Sequence, residues 1–373
     1  MIQSLQISGY KLFKDLRIPK LGTLNLFVGA NNTGKSCLLE AVGLYAGRTP
    51  ISDVLQTASL RSQQPLRRWE PEGWNEEGTA LRHPVFDLFH WDEREDPSAP
   101  RGVIKIAKLV DTNGLRVEYR WHDVVTDFEG VPARRYIEVL PGNVTTDHLE
   151  LALPVFRGEK QVALITRRYL PIRNRTLDSD RLFNDGAAVV AHVPACGYTD
   201  DKAASLWDGL IQGPGQDQVI ECLRLIDPRI EDLDFIAGRL GSRVPLLKVK
   251  GAGRIPLQSM GDGLRRLFHI GLGMATARHG ILLIDEFETG LYWEVQEQVW
   301  RALFGAAKMF SLQVFATTHS SDCIRAFIKA QDNAESSNEN LVYRLEREGA
   351  KISARELPLE NLEAALNQHV EVR

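Results

Sequence analysis

The stretch FVGANNTGKSCLLEAVGLY, Phe27 to Tyr45, decides the fold. Gly29 and Gly34 stand five positions apart, and Lys35 and Ser36 follow at once, which is the GxxxxGK[ST] spacing of a loop that wraps phosphate oxygens. Glycines let backbone amides turn toward an anion, and the N-terminus of the next helix adds a favourable dipole. LNLFVG, ahead of the loop, is a short apolar run that reads as a strand. After it, Leu38, Leu39, Val42 and Tyr45 fall at helical spacing, with Gly47 as the stop. A glycine-rich turn before an ordinary helix is the competing reading, and the order strand, loop, helix disfavours it. Lys35 is expected to reach the β and γ phosphates of a nucleotide and Ser36 to ligate magnesium.

The rest of the chain has to accommodate that loop. Its 373 residues are 43% hydrophobic and 25% charged, enough for a large core. A net charge of −4 sets up no global field that would recruit nucleic acid. Cys37, Cys196, Cys222 and Cys323 form no CxxC pair and no zinc spacing, as suits a reducing cytosol. The opening MIQSLQISGYKLFKDLRI alternates and carries lysines where a signal peptide needs an apolar core. With no apolar run near ~20 residues either, a cytoplasmic chain without a membrane partner is expected.

Strand patterns precede the loop (IQSLQIS and LNLFVG) and recur through residues 101–166, where GVIKIAKLV, LRVEYRWHDVV, RRYIEVLP and KQVALITRRYL suggest an antiparallel sheet. Residues 177–240 read as helical, with DDKAASLWDGLIQ and QDQVIECLRLI. From Arg243 strands return, then helices alternate with the nearly continuous apolar runs GILLID and LQVFATTH, the mark of a buried parallel sheet. NLVYRLEREGAKISARELP closes as a hairpin, followed by a short helix. The expected class is α/β, divided as an N-terminal lobe over 1–170, a helical insertion over 171–242 and a C-terminal lobe over 243–373. Neither internal repeats nor a long heptad array is visible.

Three further segments carry chemistry. ILLIDEFETG ends an apolar strand in adjacent acids, although carboxylates are rare there. A helix N-cap would also place acids at such a position. Beside a phosphate loop, Asp285 is the expected magnesium holder and Glu286 the group that activates the attacking water. VFATTHSSD puts His319 at the end of another buried strand, where an imidazole can sense the γ-phosphate. SMGDGLRRL places Ser259 and Gly261 at a helix start, a second anion site. One chain has one γ-phosphate to share, so the second site suits a partner's nucleotide.

The order of these four segments resembles the ABC-type ATPases of the SMC, RecF and OLD group. The resemblance is closest to stand-alone bacterial AAA family ATPases related to the OLD proteins but lacking their nuclease (TOPRIM) domain. GANNTGKS, SMGDGLRRL, LLIDEFETGLYWEVQEQVW and FATTHSSDCIRAF carry it, about a quarter of the chain, with LQISGYKLFKDL fitting weakly. It implies a P-loop NTPase with an ABC-like head, a mixed-sheet lobe beside a parallel-sheet lobe, that binds and hydrolyses ATP with Mg2+. Two copies would close head to tail, each ATP lying between the loop of one chain and Ser259 and Gly261 of the other. Carried over, Gly29, Asn31, Asn32, Thr33, Gly34, Lys35, Ser36 and Cys37 face the nucleotide and its metal. Asp285 joins Ser36 on magnesium, Glu286 is the base, His319 is the switch histidine, and Gly290 and Leu291 form the interface loop.

Tyr292 departs from the group, whose members often have histidine there. The group's magnesium-contacting glutamine finds only Gln63, Gln64 and Gln161 as candidates. Fewer than sixty residues follow His319, too few for the nuclease domain of OLD proteins. Glu231-Asp232-Leu233-Asp234 reads as solvated helix-end charge, and His83, Asp87, His90 and Asp92 as a surface loop. The resemblance thus implies a sensor or regulator of a separate effector, such as a nuclease or toxin, in phage defence. A RecF-like repair ATPase binding DNA through Arg167, Arg168, Arg173, Arg175, Arg181 and Tyr169 is the alternative. An ATP-dependent scaffold with little turnover is another. Arg265 and Arg266 are expected to meet nucleotide or the partner chain.

Overall fold

The computed structural model describes residues 1–47, 88–90, 102–109, 113–118, 120–127, 133–138, 149–165, 188–211, 213–238, 243–331 and 340–367. These form three sheets. The one that matters most for the site has six strands: β3 (Leu24–Val28), β10 (Val190–Val193), β14 (Ile281–Ile284), β15 (Gln313–Thr318), β16 (Asn340–Glu348) and β17 (Lys351–Glu356). Their order is β10-β14-β15-β3-β16-β17, parallel except at the last pair. Both faces are covered, which is why these strands read as unbroken apolar runs. Leu24, Leu26 and Val28 look one way, into a core shared with Val314, Ala316, Leu282 and Ile284, while Phe27 looks the other way, stacked between Phe315 and Tyr343.

On the Phe27 side lies α1 (Lys35–Ala46), and over it a larger antiparallel sheet. That sheet contains β1 (Leu5–Tyr10), β2 (Phe13–Ile18), β4 (Val103–Ala107), β5 (Leu115–Glu118), β6 (Arg120–Asp127), β7 (Ala133–Glu138), β8 (Leu149–Arg157) and β9 (Lys160–Ile165). On the opposite side pack α4 (Asp262–Thr276), α5 (Trp293–Phe310), α6 (Ser321–Gln331) and α7 (Leu359–Asn367). A third sheet, β11 (Ile230–Ala237), β12 (Arg243–Val249) and β13 (Gly253–Pro256), packs with α2 (Asp200–Gly209) and α3 (Gly215–Arg224) against α4. The α/β class is as expected.

Residues 171–242, expected as a helical insertion, are more mixed. α2 and α3 are there, but β10 joins the parallel sheet and β11 pairs with β12. A register shift between Ile230 and Asp232 leaves the buried Ile230 and Leu233 three residues apart, a helix-like spacing produced by a bulged strand. Glu231 and Asp234 therefore stand on a strand rather than a helix end, paired with Lys248 at 3.0 Å and Arg254 at 2.9 Å. β8 also escapes the alternation rule, because Pro154 sits inside an apolar run. Glutamine Gln313 ties the sheet to the chain start: its amide meets both the N–H and the carbonyl of Ile2 at 2.8 Å.

Candidate nucleotide site

The loop after β3 turns on Gly34, whose φ of 92° caps α1 without any side-chain bond. A Cβ there would come within 2.8 Å of the Phe13 ring, so Phe13 of β2 seals the loop from behind and only glycine fits. Asn31 and Asn32 are exposed, Thr33 and Gly34 buried, and Thr33 bonds back to the Ala30 carbonyl at 2.9 Å. Cys37 points its thiol into the core. Lys35 arches over the loop and donates to the carbonyls of Gly29 (2.7 Å) and Ala30 (2.9 Å). Burial lowers its pKa, with Asp285, Glu286 and Glu288 opposing the shift. The cation thus sits in the field of the acids that follow β14.

Those acids meet α1 directly. Ser36 donates to Asp285 Oδ1 at 3.1 Å, and Thr317 at the end of β15 donates to the same oxygen at 2.7 Å. The Glu286 N–H is held by Thr317 Oγ1 at 2.8 Å. Glu286 takes a positive φ of 48°, unusual for a side chain of its size. The turn lets Asp285 face the loop while Phe287 dives into the core and stacks on Trp300 at 3.9 Å. Such backbone conformations cost about 1–3 kcal/mol and persist where surroundings over-determine them.

Glu288, unassigned in the sequence reading, organises the histidine. Its carboxylate accepts from the His319 backbone N–H at 3.0 Å and lies 3.1 Å from His319 Nδ1. The carboxylate is 10% exposed and the imidazole 46%, so a buried acid orients a half-exposed ring. The third acid of DEFE was the available signal. His192 was also missed. It pairs in register with Leu283, two residues before Asp285, and its Nε2 is buried without a hydrogen-bond partner among the described residues. Burial lowers its pKa, Asp285 and Glu40 pulling the other way. Glu40, one turn beyond Ser36, is itself bound by Tyr10 (3.2 Å) and by Lys11.

Ser259 and Gly261 lie apart from these groups. Ser259 belongs to a 3₁₀ turn, Leu257–Met260, and Gly261 (φ 89°) starts α4 with no side-chain cap. Both are exposed, and a Cβ on Gly261 would meet nothing within 4 Å among the described residues. Beside them, a Cβ on Gly290 would come 3.2 Å from the Asp262 carbonyl oxygen, and Tyr292 and Trp293 follow, 61% and 54% exposed. Arg265 is exposed, but Arg266 corrects the expectation: it is buried and bonds backbone carbonyls of its own chain. Gln161 stands exposed on β9 of the antiparallel sheet. Gln63, Gln64, His83, Asp87, Asp92, Arg167, Arg168, Tyr169, Arg173, Arg175 and Arg181 lie outside the described residues, while His90 Nδ1 donates to the Lys11 carbonyl (2.7 Å).

Residues 219–324 match the AAA ATPase domain family. Over 97% of its length, and 97% of the relative's, the chain is 23% identical to an ATP/GTP phosphatase of Helicobacter pylori. An uncharacterized protein of Methanocaldococcus jannaschii, MJECL10, is 25% identical over 26% of the chain and 38% of its own length. Among solved structures, an SMC head bound to the C-winged helix domain of ScpA superposes with a TM-score of 0.52 at 12% identity. That match covers 96% of this chain and 99% of the other. Residues 219–324 thus resemble an AAA-type ATPase domain, and the chain has the α/β, ABC-like P-loop fold of that SMC head. No described helix is long and apolar enough to cross a membrane.

Proposed function

For an ATPase built on this fold, we propose that the working unit is two copies of the chain closed on ATP, and that closure switches a separate effector. The observation that carries this reading is the second helix start. Gly261, exposed at the start of α4, lies next to the Gly290 loop and the exposed Tyr292 and Trp293. Free amides at a helix start favour a phosphate, and an exposed aromatic pair favours a protein surface. Both belong to one face.

Within one copy, Lys35 neutralises charge on the β and γ phosphates, and the loop amides around Gly29, Asn31, Asn32 and Gly34 orient them. Ser36 and Asp285 fit a magnesium ion, since hard oxygen donors from two elements converge at 3.1 Å. Bound there, the ion would supply positive charge against the phosphate oxygens. Glu286 accepts the proton of the attacking water, and His319, held by Glu288, reads the γ-phosphate. The effector is read as a nuclease or toxin in phage defence, as with OLD-like stand-alone ATPases, on the strength of motif order alone.

Glu286→Gln tests the core of this. Turnover should fall by roughly 10²–10⁴-fold, the usual contribution of a general base, while an ATP-dependent dimer accumulates in light scattering. Adding Ser259→Arg should dissolve that dimer without removing ATP from the monomer. A Glu286→Gln chain that hydrolyses ATP like wild type, or that stays monomeric with ATP bound, defeats the reading. For the effector step, co-expression with the product of the adjacent gene should protect against phage only with Lys35 intact.

A further inference from the structure

Arg266 is 4% exposed, and its guanidinium spends its donors on main-chain oxygens. One terminal nitrogen donates to the Pro194 carbonyl at 2.6 Å; the other donates to the carbonyls of Asp285 (2.6 Å) and Glu286 (2.9 Å). Pro194 follows β10 and the acids follow β14, so one planar fork joins two strand ends to α4. Burying a guanidinium is unfavourable unless it is engaged; the carbonyl cluster takes both terminal nitrogens without cancelling the charge, while Nε is buried with no hydrogen-bond partner among the described residues. The fork geometry is specific to arginine; a lysine offers a point charge on a flexible stem.

What the fork holds is the positive-φ turn at Glu286. The N–H of that residue is clamped by Thr317 of β15, within the sheet. Its carbonyl is clamped by Arg266, which belongs to α4, the helix that begins at Gly261. One clamp therefore belongs to the sheet, and the other to the helix whose start faces outward.

We propose that Arg266 is a positioning residue that couples closure at Ser259 and Gly261 to the aim of the Glu286 carboxylate. This rests on the reading of Glu286 as base and of the α4 start as the partner-facing site. Contact at the α4 start shifts the helix, the fork carries the shift to the Glu286 carbonyl, and the carboxylate comes into line with the attacking water.

Arg266→Lys, which keeps charge and stem, is the test, measured in the full chain with Mg2+ and ATP. Turnover is expected to fall at least about tenfold with KM within about twofold, the pattern of a group that acts in the transition state. In the Glu286→Gln background the same change should produce no further fall, because residues acting through one another are non-additive. The ATP-trapped dimer of Glu286→Gln should persist. Full turnover in Arg266→Lys, or a further multiplicative fall in the Glu286→Gln background, overturns the coupling while leaving the base assignment intact. Loss of ATP binding together with turnover makes Arg266 a structural clamp and also overturns it. If Glu286→Gln alone keeps wild-type turnover, the base reading fails first and takes the coupling with it.

Discussion

Two helices of this protein begin on glycine at nearly the same positive φ, although ψ is 14° at Gly34 and 162° at Gly261. Gly34 before α1 has φ 92° and Gly261 before α4 has φ 89°, and neither start has a side-chain cap. Their surroundings differ. Gly34 is buried against the Phe13 ring, with Lys35 folded over the loop and Ser36 reaching Asp285. Gly261 looks outward, with no described atom near its missing side chain. One glycine start is thus enclosed within the chain and the other lies open on the surface. Neighbouring elements decide which.

Lys35→Ala should have the largest effect on this contrast. Losing a cation aimed at the phosphates is expected to lower turnover on the order of 10³-fold, read by phosphate release, with nucleotide affinity falling as well. Retained turnover would mean that the enclosed start is not the chemical centre. Next comes a matched pair, Gly34→Ala and Gly261→Ala. Both force a side chain into positive φ, at about 1–3 kcal/mol each. Gly34→Ala also drives a methyl into Phe13 and should lose nucleotide binding with a melting midpoint lower by on the order of 5 °C. Gly261→Ala should still bind ATP as a monomer yet turn over about tenfold more slowly. Equal loss of binding in both variants would break the comparison.

A smaller effect distinguishes the α4 side by pH. His269 lies in α4 with its Nδ1 accepting the Tyr198 N–H at 3.3 Å. Burial, then Arg265 and Arg266, push its pKa down to about 4. In the unfolded chain the ring titrates near 6.5. Between those values the unfolded state binds a proton that the folded state refuses, so stability falls as pH drops from about 6.5 to about 4, by up to about 3 kcal/mol. The same direction is expected from His192. His269→Asn, whose amide oxygen keeps the Tyr198 bond, should flatten the denaturation midpoint over that range. An unchanged slope would remove His269 as its source.

How much of this was legible follows from the kind of signal each element leaves. The loop, the acid pair, His319 and the Ser259–Gly261 turn announce themselves locally, because their chemistry needs fixed residue types at fixed spacing. The parallel strands β14 and β15 were readable as apolar runs bounded by helices. β2 was not, since the turn at Lys11 and Leu12 carries neither glycine nor proline, nor was β10, whose four residues are too few to show a period. The bulge in β11 imitated a helix. Arg266, Glu288 and His192 are tertiary in origin. An arginine in a helix reads as surface charge until three carbonyls from other segments close around it. Glu288 gains meaning only when β15 brings His319 alongside.

The place of β3 in the sheet has a consequence for how the protein is made. Its neighbours are β15 on one side and β16 on the other, both encoded near the far end of the chain. At ~5–20 residues per second, the strand that launches the loop leaves the ribosome roughly 15–60 s before β16 exists to flank it. Until then its amides and carbonyls have no sheet partners. The nascent chain therefore carries an unpaired apolar strand until β15 and β16 have been made, and nucleotide affinity is expected only after that.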